Sequence, residues 1–475
     1  MERYLIRARR ELLEKEKGTI YKTGKWRILL ISPLSYPAGS TSLAMHILYR
    51  EWNRLDDVSC ERYFFKEEEV RSLEGDRQPS EFHILAFTLS YELDCLKFLK
   101  ILEMSGIPLL REERGEQHPI VLIGGAYPTI NPHPLSKFAD AIAIGDGEEL
   151  VREIVNALKE GKGKRETIEL LKDIDGIYVP YLCKGYKRRW LRDLNVYDGS
   201  SQFISPLSEF PSTAFVEISR GCNRGCAFCV IPAFFSPYRE RSVEKILEQA
   251  LKWKGVARKV GLVGAATSDH SALREIGKAL YQEGIPFSAA SLRADALEEE
   301  FLQYLAKSGE MTVTLAPEVA TPPLRKLIRK WIDEEVLREA LEKAKRVGFK
   351  RARLYFMIGL PGEGMDDVQA IVELAERMAK ILPLHLSVAP FVPKPGTPLA
   401  SYPMEKEEVL RKKVRVLQSG LKKKGIGVSF ESIRSGIIQW WLAQGDERMG
   451  DVLLYAYKRG GSFSAWKKGY EKVYG

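Results

Sequence analysis

Three cysteines within eight residues form the strongest chemical signal in this 475-residue chain: Cys222, Cys226 and Cys229, in the run Arg220-Gly221-Cys222-Asn223-Arg224-Gly225-Cys226-Ala227-Phe228-Cys229. Thiolates grouped this closely are ligands for an iron–sulfur cluster, and a [4Fe–4S] cluster ordinarily takes four of them. No fourth cysteine lies nearby. One iron is then left open to a ligand that is not protein, which is the condition under which a cluster becomes catalytic. Gly221 and Gly225 let the loop curl round a bulky group without Cβ clashes. Zinc is the rival, but it asks for four ligands, commonly in paired short spacings, and the loop holds no histidine. Three unligated thiols on an exposed loop would be prone to oxidation.

Such a loop needs a scaffold. The run Ala214–Ser219 just before it reads as a strand, and further strand-like runs follow at Lys259–Gly264, Phe287–Leu292, Met311–Ala316, Arg353–Ile358 and Leu384–Ala389. Amphipathic helices such as Val243–Trp253, Ser271–Glu283 and Glu334–Val347 lie between them. Six strands with interleaved helices predict a partial (β/α)6 TIM-like barrel over 213–403, with its chemistry on the loops beyond the carboxyl ends of the strands. Upstream, Arg27–Ser32, His83–Phe87, Ile120–Ile123 and Ala141–Ile144 alternate with helical segments. That pattern predicts a doubly wound parallel sheet over 26–160. Its ligand-facing edge would carry the loops Ser32–Ser40, Thr88–Tyr91, Gly124–Pro128 and Gly145–Glu148. Residues 1–25 read as a charged helical lead-in, 161–212 as a connector in which Cys183 has no partner spacing, and 404–475 as a basic C-terminal region. The fold class is α/β throughout.

Composition bounds the rest. Hydrophobic residues are 45% and charged residues 29%, which excludes collagen-like and wholly disordered chains. No apolar run is long enough for a spanning helix. The N-terminus is dense in Arg, Lys and Glu, without the apolar core of a signal peptide. Six cysteines in this length are no disulfide framework, so a reducing cytoplasm is expected. The net charge is +9, of which the fifteen basic and eight acidic residues from Met404 onward contribute +7. A basic tail suits nucleic acid or an anionic surface; a solvated lysine-rich helical face accounts for it more simply. Trp440, Trp441, Tyr455, Tyr457 and Trp466 fit a small packed unit better than a stacking platform. Among six histidines, His270 sits at a strand end, where a structural role is the commoner one, and none is assigned to catalysis.

The cysteine spacing, its place after the first barrel strand and the strands beyond it resemble the radical S-adenosylmethionine (SAM) superfamily. The resemblance implies that the open iron binds the amino and carboxylate groups of SAM. One-electron reduction would then cleave SAM to methionine and a 5′-deoxyadenosyl radical that abstracts a substrate hydrogen. Phe228 is the aromatic expected between the second and third cysteines. Gly264-Ala265-Ala266-Thr267-Ser268-Asp269-His270 stands where many members carry a Gly-Gly-Glu that holds the SAM amino group, and the acidic residue is missing from that place. Ser291 and Arg293 follow strand three, where an arginine either pairs with the SAM carboxylate or is an ordinary surface residue. Glu318, in Ala316-Pro317-Glu318, resembles the ribose-binding position, or else is a carboxylate at a helix N-terminus. Gly359, Pro361 and Gly362 belong to a loop resembling the family's adenine-binding turn.

Residues 26–160 resemble the cobalamin-binding-like domain fused to many radical SAM proteins. The resemblance rests on Ile31-Ser32-Pro33-Leu34, on Gly124-Gly125-Ala126-Tyr127-Pro128-Thr129 and on Ile144-Gly145-Asp146-Gly147-Glu148-Glu149. Together with Arg239-Glu240-Arg241-Ser242 and Val392-Pro393-Lys394-Pro395-Gly396-Thr397-Pro398, it extends over roughly residues 26–460. Cobalamin contacts would come from Ser32, Pro33, Leu34, Ser35, Thr88, Leu89, Ser90, Gly124, Gly125, Ala126, Tyr127, Gly145, Asp146, Gly147 and Glu148. The Asp-x-His-x-x-Gly motif, whose histidine ligates cobalt elsewhere, is absent from the loop after the first strand. A degenerate domain that has kept the fold and lost the ligand is the alternative.

Three functions remain in play. The first is a radical SAM methyltransferase that moves a methyl group from cobalamin to an unactivated carbon. The second is a cobalamin-independent rearrangement, coupling, cyclisation or sulfur insertion; the leftover Cys60, Cys95 and Cys183 form no second cluster motif. The third is an RNA-binding or assembly protein with a structural cluster. The resemblance implies a flavodoxin or ferredoxin as electron donor. The sequence does not single out a small molecule, lipid, peptide or RNA as substrate.

Overall fold

The computed structural model describes residues 2–475, and the chain divides into two units, one running to Phe215 and joined by Trp441–Gly475, the other Val216–Trp440. In the first, the strands are β1 (Trp26–Ser32), β2 (Val58–Phe64), β3 (Ile84–Thr88), β4 (Ile120–Gly124), β5 (Ala141–Ala143) and β6 (Ile177–Tyr178), in the order β2-β1-β3-β4-β5-β6. All pairings are parallel except that of β5 with β6. Helices cover both faces, so β1, β3 and β4 are nearly continuous apolar runs, as a sheet buried on both sides requires. The order reverses between β1 and β3, which makes the loops after these two strands the switch point where doubly wound folds take ligands.

The strand β2 escapes a reading by hydropathy because it carries Glu61 and Arg62, yet every residue in it is buried. Arg62 donates from Nη2 to Glu16 Oε1 at 2.5 Å and from Nε to Glu74 Oε1 at 2.6 Å. Its guanidinium lies over the rings of Tyr49 and Phe203. The Tyr36 hydroxyl donates to Glu16 at 2.6 Å. The end of the lead-in helix Glu2–Lys15 is thus pinned to the sheet by a buried ion-pair network.

The second unit carries β7 (Thr213–Glu217), whose first residues fall in the first unit, then β8 (Ser219–Arg220), β9 (Arg239–Glu240), β10 (Lys259–Val263), β11 (Phe287–Ala289), β12 (Thr312–Glu318), β13 (Arg351–Ile358), β14 (Leu384–Pro390) and β15 (Gly427–Phe430). Strands β11-β10-β7 form one sheet and β12-β13-β14-β15 another, and a bridge between Leu292 and Leu315 joins them edge to edge. The six expected barrel strands are present, and β15 adds a seventh, parallel to β14. The larger apolar core of this unit, from Val216 and Ile218 through Phe287, Phe301 and Leu354 to Leu417, fills the space between strands and outer helices.

The C-terminal region divides. Helix Glu407–Lys423 and β15 belong to the second unit, while Trp441 onward belongs to the first. Asn131 donates from Nδ2 to the carbonyls of Leu442, Ala443 and Gly445 at 3.1, 3.1 and 2.8 Å, and the Tyr127 hydroxyl donates to that of Leu442 at 3.2 Å. The Leu442 and Ala443 carbonyls lie in the last turn of the helix Ile433–Gln444, where they have no partner within it. Trp466 is fully buried, and Trp441 stacks on Phe463 and Tyr470. These aromatics are packing groups. Among the described residues, no helix is long and apolar enough to cross a membrane.

Candidate active site

The cysteine loop starts where β7 ends. The short antiparallel ribbon of β8 and β9 closes its base. Glu217, the last residue of β7, accepts from Arg220 at 2.9 and 3.0 Å and from Arg241 at 2.6 Å. Burial opposes ionisation of Glu217, but the two guanidinium groups outweigh it and hold its carboxyl below the ordinary range. Gly221 has φ +83°, and a Cβ there would lie 2.6 Å from the Phe235 carbonyl oxygen and 2.7 Å from that of Pro237. Only glycine fits. Gly225 faces open space instead.

All three cysteines are partly buried and unbridged. The Arg224 N–H donates to Cys222 Sγ at 3.4 Å, and the Cys229 N–H to the Cys226 carbonyl at 3.2 Å. Ala227 N–H donates to Ile328 O at 2.8 Å, while Leu399 N–H donates to Ala227 O at 3.2 Å, so the loop is sewn to two other segments of the barrel. Phe228 packs on an apolar cluster of Ala227, Val319, Leu324, Leu360 and Phe391. Burial pushes the Cys229 thiol up to about 11 and raises that of Cys222, so thiolates here need a cation beside them. Iron meets that need. Among the described residues, no three His, Cys, Asp or Glu side chains gather as the ligands of a single ion would; a cluster takes each thiolate on a different iron and does not require that convergence. The donor set fits the cluster.

Around the loop stand the strand-end residues. Arg293 is 13% exposed and is held by Asp295 at 2.8 and 3.0 Å. Its N–H donates to Ser268 Oγ at 2.9 Å. It lies within electrostatic reach of Cys222, Cys226 and Glu318. Ser291 is exposed, with φ +58°. Glu318 ends β12 at a register shift, has φ +70°, and accepts from Lys330 Nζ at 2.8 Å. A bulge of this kind re-aims a side chain at a barrel rim. Burial raises the Glu318 carboxyl, against Lys330 and Arg293. In the loop after β13, Gly359 and Gly362 have φ +88° and +79°, and Pro361 lies between them. Gly359 N–H donates to Glu363 Oε2 at 2.5 Å, and the buried Lys413 donates to the same oxygen at 2.7 Å.

The structure brings the cysteines, Arg293 and Glu318 together, and Leu360 links the glycine loop to the patch under Phe228. Reading the sequence missed Glu217, the contact of Arg224 with Asp269, Lys330 and Lys413. Each is an ordinary charged residue until its partner is known. His270 accepts from Ala272 N–H at Nδ1 and contacts the Arg241 carbonyl through Nε2 at 3.0 Å, a structural role.

In the first unit, the four loops do lie beyond the carboxyl ends of β1, β3, β4 and β5. Two of them are engaged internally. Gly145 has φ +106° and pairs with Arg189, whose carbonyl also accepts from Asp146 N–H at 3.0 Å, while Asp146 Oδ2 accepts from Leu191 N–H at 2.8 Å. Connector residues therefore cover Gly145 and Asp146, while Gly147 faces Leu48 of the helix Leu43–Arg54 and Glu148 is buried. After β4, Gly124 O accepts from Leu89 N–H, and Gly125, φ +117°, passes so close to Leu89 that a Cβ would stand 2.4 Å from its carbonyl oxygen. Ala126 opens a short helix whose buried Tyr127 holds the C-terminal segment. The loop after β1 keeps Ser32 buried, with Pro33, Leu34 and Ser35 leading into a turn of helix at Tyr36–Gly39. Thr88 is buried against Ile31, and Ser90 is exposed.

A family model described as "Radical SAM proteins, N-terminal" matches residues 44–180, and the "Radical SAM superfamily" model matches 216–375. The uncharacterized protein MJ0966 of Methanocaldococcus jannaschii is 30% identical over 93% of this chain and 94% of its own length. The uncharacterized methyltransferase PH0819 of Pyrococcus horikoshii is 26% identical over 60% of this chain, which spans 63% of that protein. The ribosomal protein uS12 methylthiotransferase RimO of Leptospira biflexa is 27% identical over 44% of this chain and 46% of its own. Among solved structures, the radical SAM methyltransferase TsrM of Kitasatospora setae superposes with TM-score 0.58 at 15% identity over 79% of this chain and 75% of its own. The cobalamin-dependent radical enzyme OxsB superposes with TM-score 0.56 at 16% identity over 94% of this chain and 70% of its own. At those identities the likeness is one of fold. With the full-length match to MJ0966 and the family models on both halves, the cysteine loop beyond β7 has its explanation: this chain is a radical SAM enzyme and belongs to the radical SAM superfamily, whose members work with a [4Fe–4S] cluster and SAM.

Proposed function

We propose that this radical SAM enzyme methylates an unactivated carbon with a methyl group carried by cobalamin on the first unit. The observation that carries the proposal is the doubly wound sheet with order β2-β1-β3-β4-β5, preceding the barrel in one chain and leaving the loops after β1 and β3 at its switch point. The fold likeness to OxsB, whose structure holds aqua-cobalamin and SAM, supports it. Cys222, Cys226 and Cys229 would hold the cluster and Phe228 would shield it. Arg293 has N–H groups left after its contact with Asp295 and would take the SAM carboxylate. Glu318, re-aimed by the bulge, would face the ribose hydroxyls. The backbone of Gly359, Pro361 and Gly362 would line the adenine, with Ser291 beside the SAM tail. The loops Ser32–Ser35 and Thr88–Ser90 would offer the corrinoid contacts through the exposed Ser35 and Ser90 and the half-buried Leu34, since Ser32, Pro33, Thr88 and Leu89 are buried. They contain no histidine, so cobalt would be held without a ligand from these loops. When bound, the cluster delivers the electron that cleaves SAM, and the corrinoid carries the methyl group. A flavodoxin or ferredoxin in a reducing cytoplasm would supply that electron.

The test is the corrinoid content of protein purified anaerobically from cobalamin-supplied cells. A ratio near one corrinoid per chain is expected. An intact cluster with no corrinoid would overturn the reading and leave chemistry that needs SAM alone. Methylthio transfer, which the likeness to RimO brings up, calls for a second cluster. Cys60 and Cys95 are buried and Cys183 lies in the connector, which weighs against it.

A further inference from the structure

Arg224 stands between the first two cluster cysteines, where closing the loop requires no particular side chain. Its guanidinium nevertheless makes a two-point contact with Asp269, Nε to Oδ2 at 2.8 Å and Nη2 to Oδ1 at 2.9 Å. The Asp269 side chain is 1% exposed and lies on the turn Thr267–Asp269 beyond β10. The same guanidinium is 3.9 Å from Asp295, the partner of Arg293. The main-chain N–H of Arg224 already donates to Cys222 Sγ. The pair therefore ties the loop to the turn beyond β10 and places one positive and one negative charge within electrostatic reach of Cys222. Two-point guanidinium–carboxylate contacts fix orientation as well as distance, so these charges cannot wander.

We infer that Arg224 and Asp269 are a positioning pair that sets the reduction potential of the cluster. Reduction adds a negative charge. A fixed guanidinium and an N–H directed at sulfur favour the reduced state and raise the potential, while a buried carboxylate opposes it. The inference rests on the cluster that family membership implies and is independent of the corrinoid. In the stretch where the Gly-Gly-Glu acid is missing, the carboxylate that is present, Asp269, six residues beyond the end of β10 at Val263, is engaged with the cluster loop.

Opposite signs test it. Full-length protein, reconstituted anaerobically and without SAM, is titrated redox-potentiometrically with the cluster followed by electron paramagnetic resonance. Arg224→Gln should lower the midpoint, Asp269→Asn should raise it, and Arg224→Lys, which keeps the charge, should stay close to wild type. Loss of loop support alone would move Arg224→Gln and Asp269→Asn in the same direction. That result, or no movement in either, overturns the inference. Should Arg224→Gln hold too little iron to titrate, Asp269→Asn still decides: a fall or no change refutes the pair. Corrinoid measured on the same samples reports on the methyltransferase reading without affecting the sign.

Discussion

At Gly221, backbone geometry and chemistry meet in one residue. Its φ of +83° and the carbonyl oxygens 2.6 and 2.7 Å from an added Cβ make Gly221→Ala a test of loop shape. The strain, on the order of 1–3 kcal/mol, falls on the first cluster cysteine and not on the barrel core. Bound iron per chain should drop well below wild type while far-ultraviolet circular dichroism is preserved. Glycine's role here is visible from the sequence as an Arg-Gly-Cys run. The reason for it, two carbonyls arriving from the far side of the loop, is not. The same holds for Glu318, whose character comes from the bulge in β12 and from Lys330 twelve positions on.

Elements owe their register to groups that a hydropathy scan discounts. Strand β2 is buried although Arg62 sits in its middle, because Glu16 and Glu74 neutralise that arginine and two rings cover it. Arg62→Met leaves two carboxylates in an apolar place and should cost about 3–5 kcal/mol in urea unfolding; adding Glu16→Gln and Glu74→Gln should restore most of it. Helix Leu43–Arg54 holds a second such group. His46 contacts the Ser40 carbonyl through Nε2 and accepts from Gln202 N–H at Nδ1, and burial drives its pKa down to about 3. A histidine kept neutral in the fold contributes stability above its unfolded pKa of about 6.5 that is lost as pH falls towards 3, about 2 kcal/mol of it by pH 5. His46→Gln should remove that part of the acid-side loss, read as urea midpoints at pH 7.5 and pH 5. Strands β1, β3 and β4 could be read directly because both faces are apolar; β2 could not, because its solution to burial is electrostatic and its partners lie outside the strand.

In the whole molecule, the chain's last residues return to the unit where the chain began. Asn131 and Tyr127 hold the end of helix Ile433–Gln444, and Trp466 is buried beyond it. Truncation after Trp440 should therefore increase hydrogen exchange in residues 120–140 while iron per chain stays at the wild-type level; equal damage to both would contradict the division of the chain. By itself the sequence determined the three-cysteine loop, the alternating strand and helix pattern, the α/β class and the family, because each is written in neighbouring residues or in local periodicity. Tertiary structure decided which charges meet: Arg224 with Asp269 across 45 positions, Lys413 with Glu363 across 50, and Asn131 with carbonyls more than 300 positions away. It also decided that the loop after β5 is covered by the connector and that the basic C-terminal region is split between two units. The reason is physical. A charged side chain has the same local signature whether solvated or paired, and only the closing of sheet and barrel supplies the partner that gives it a role.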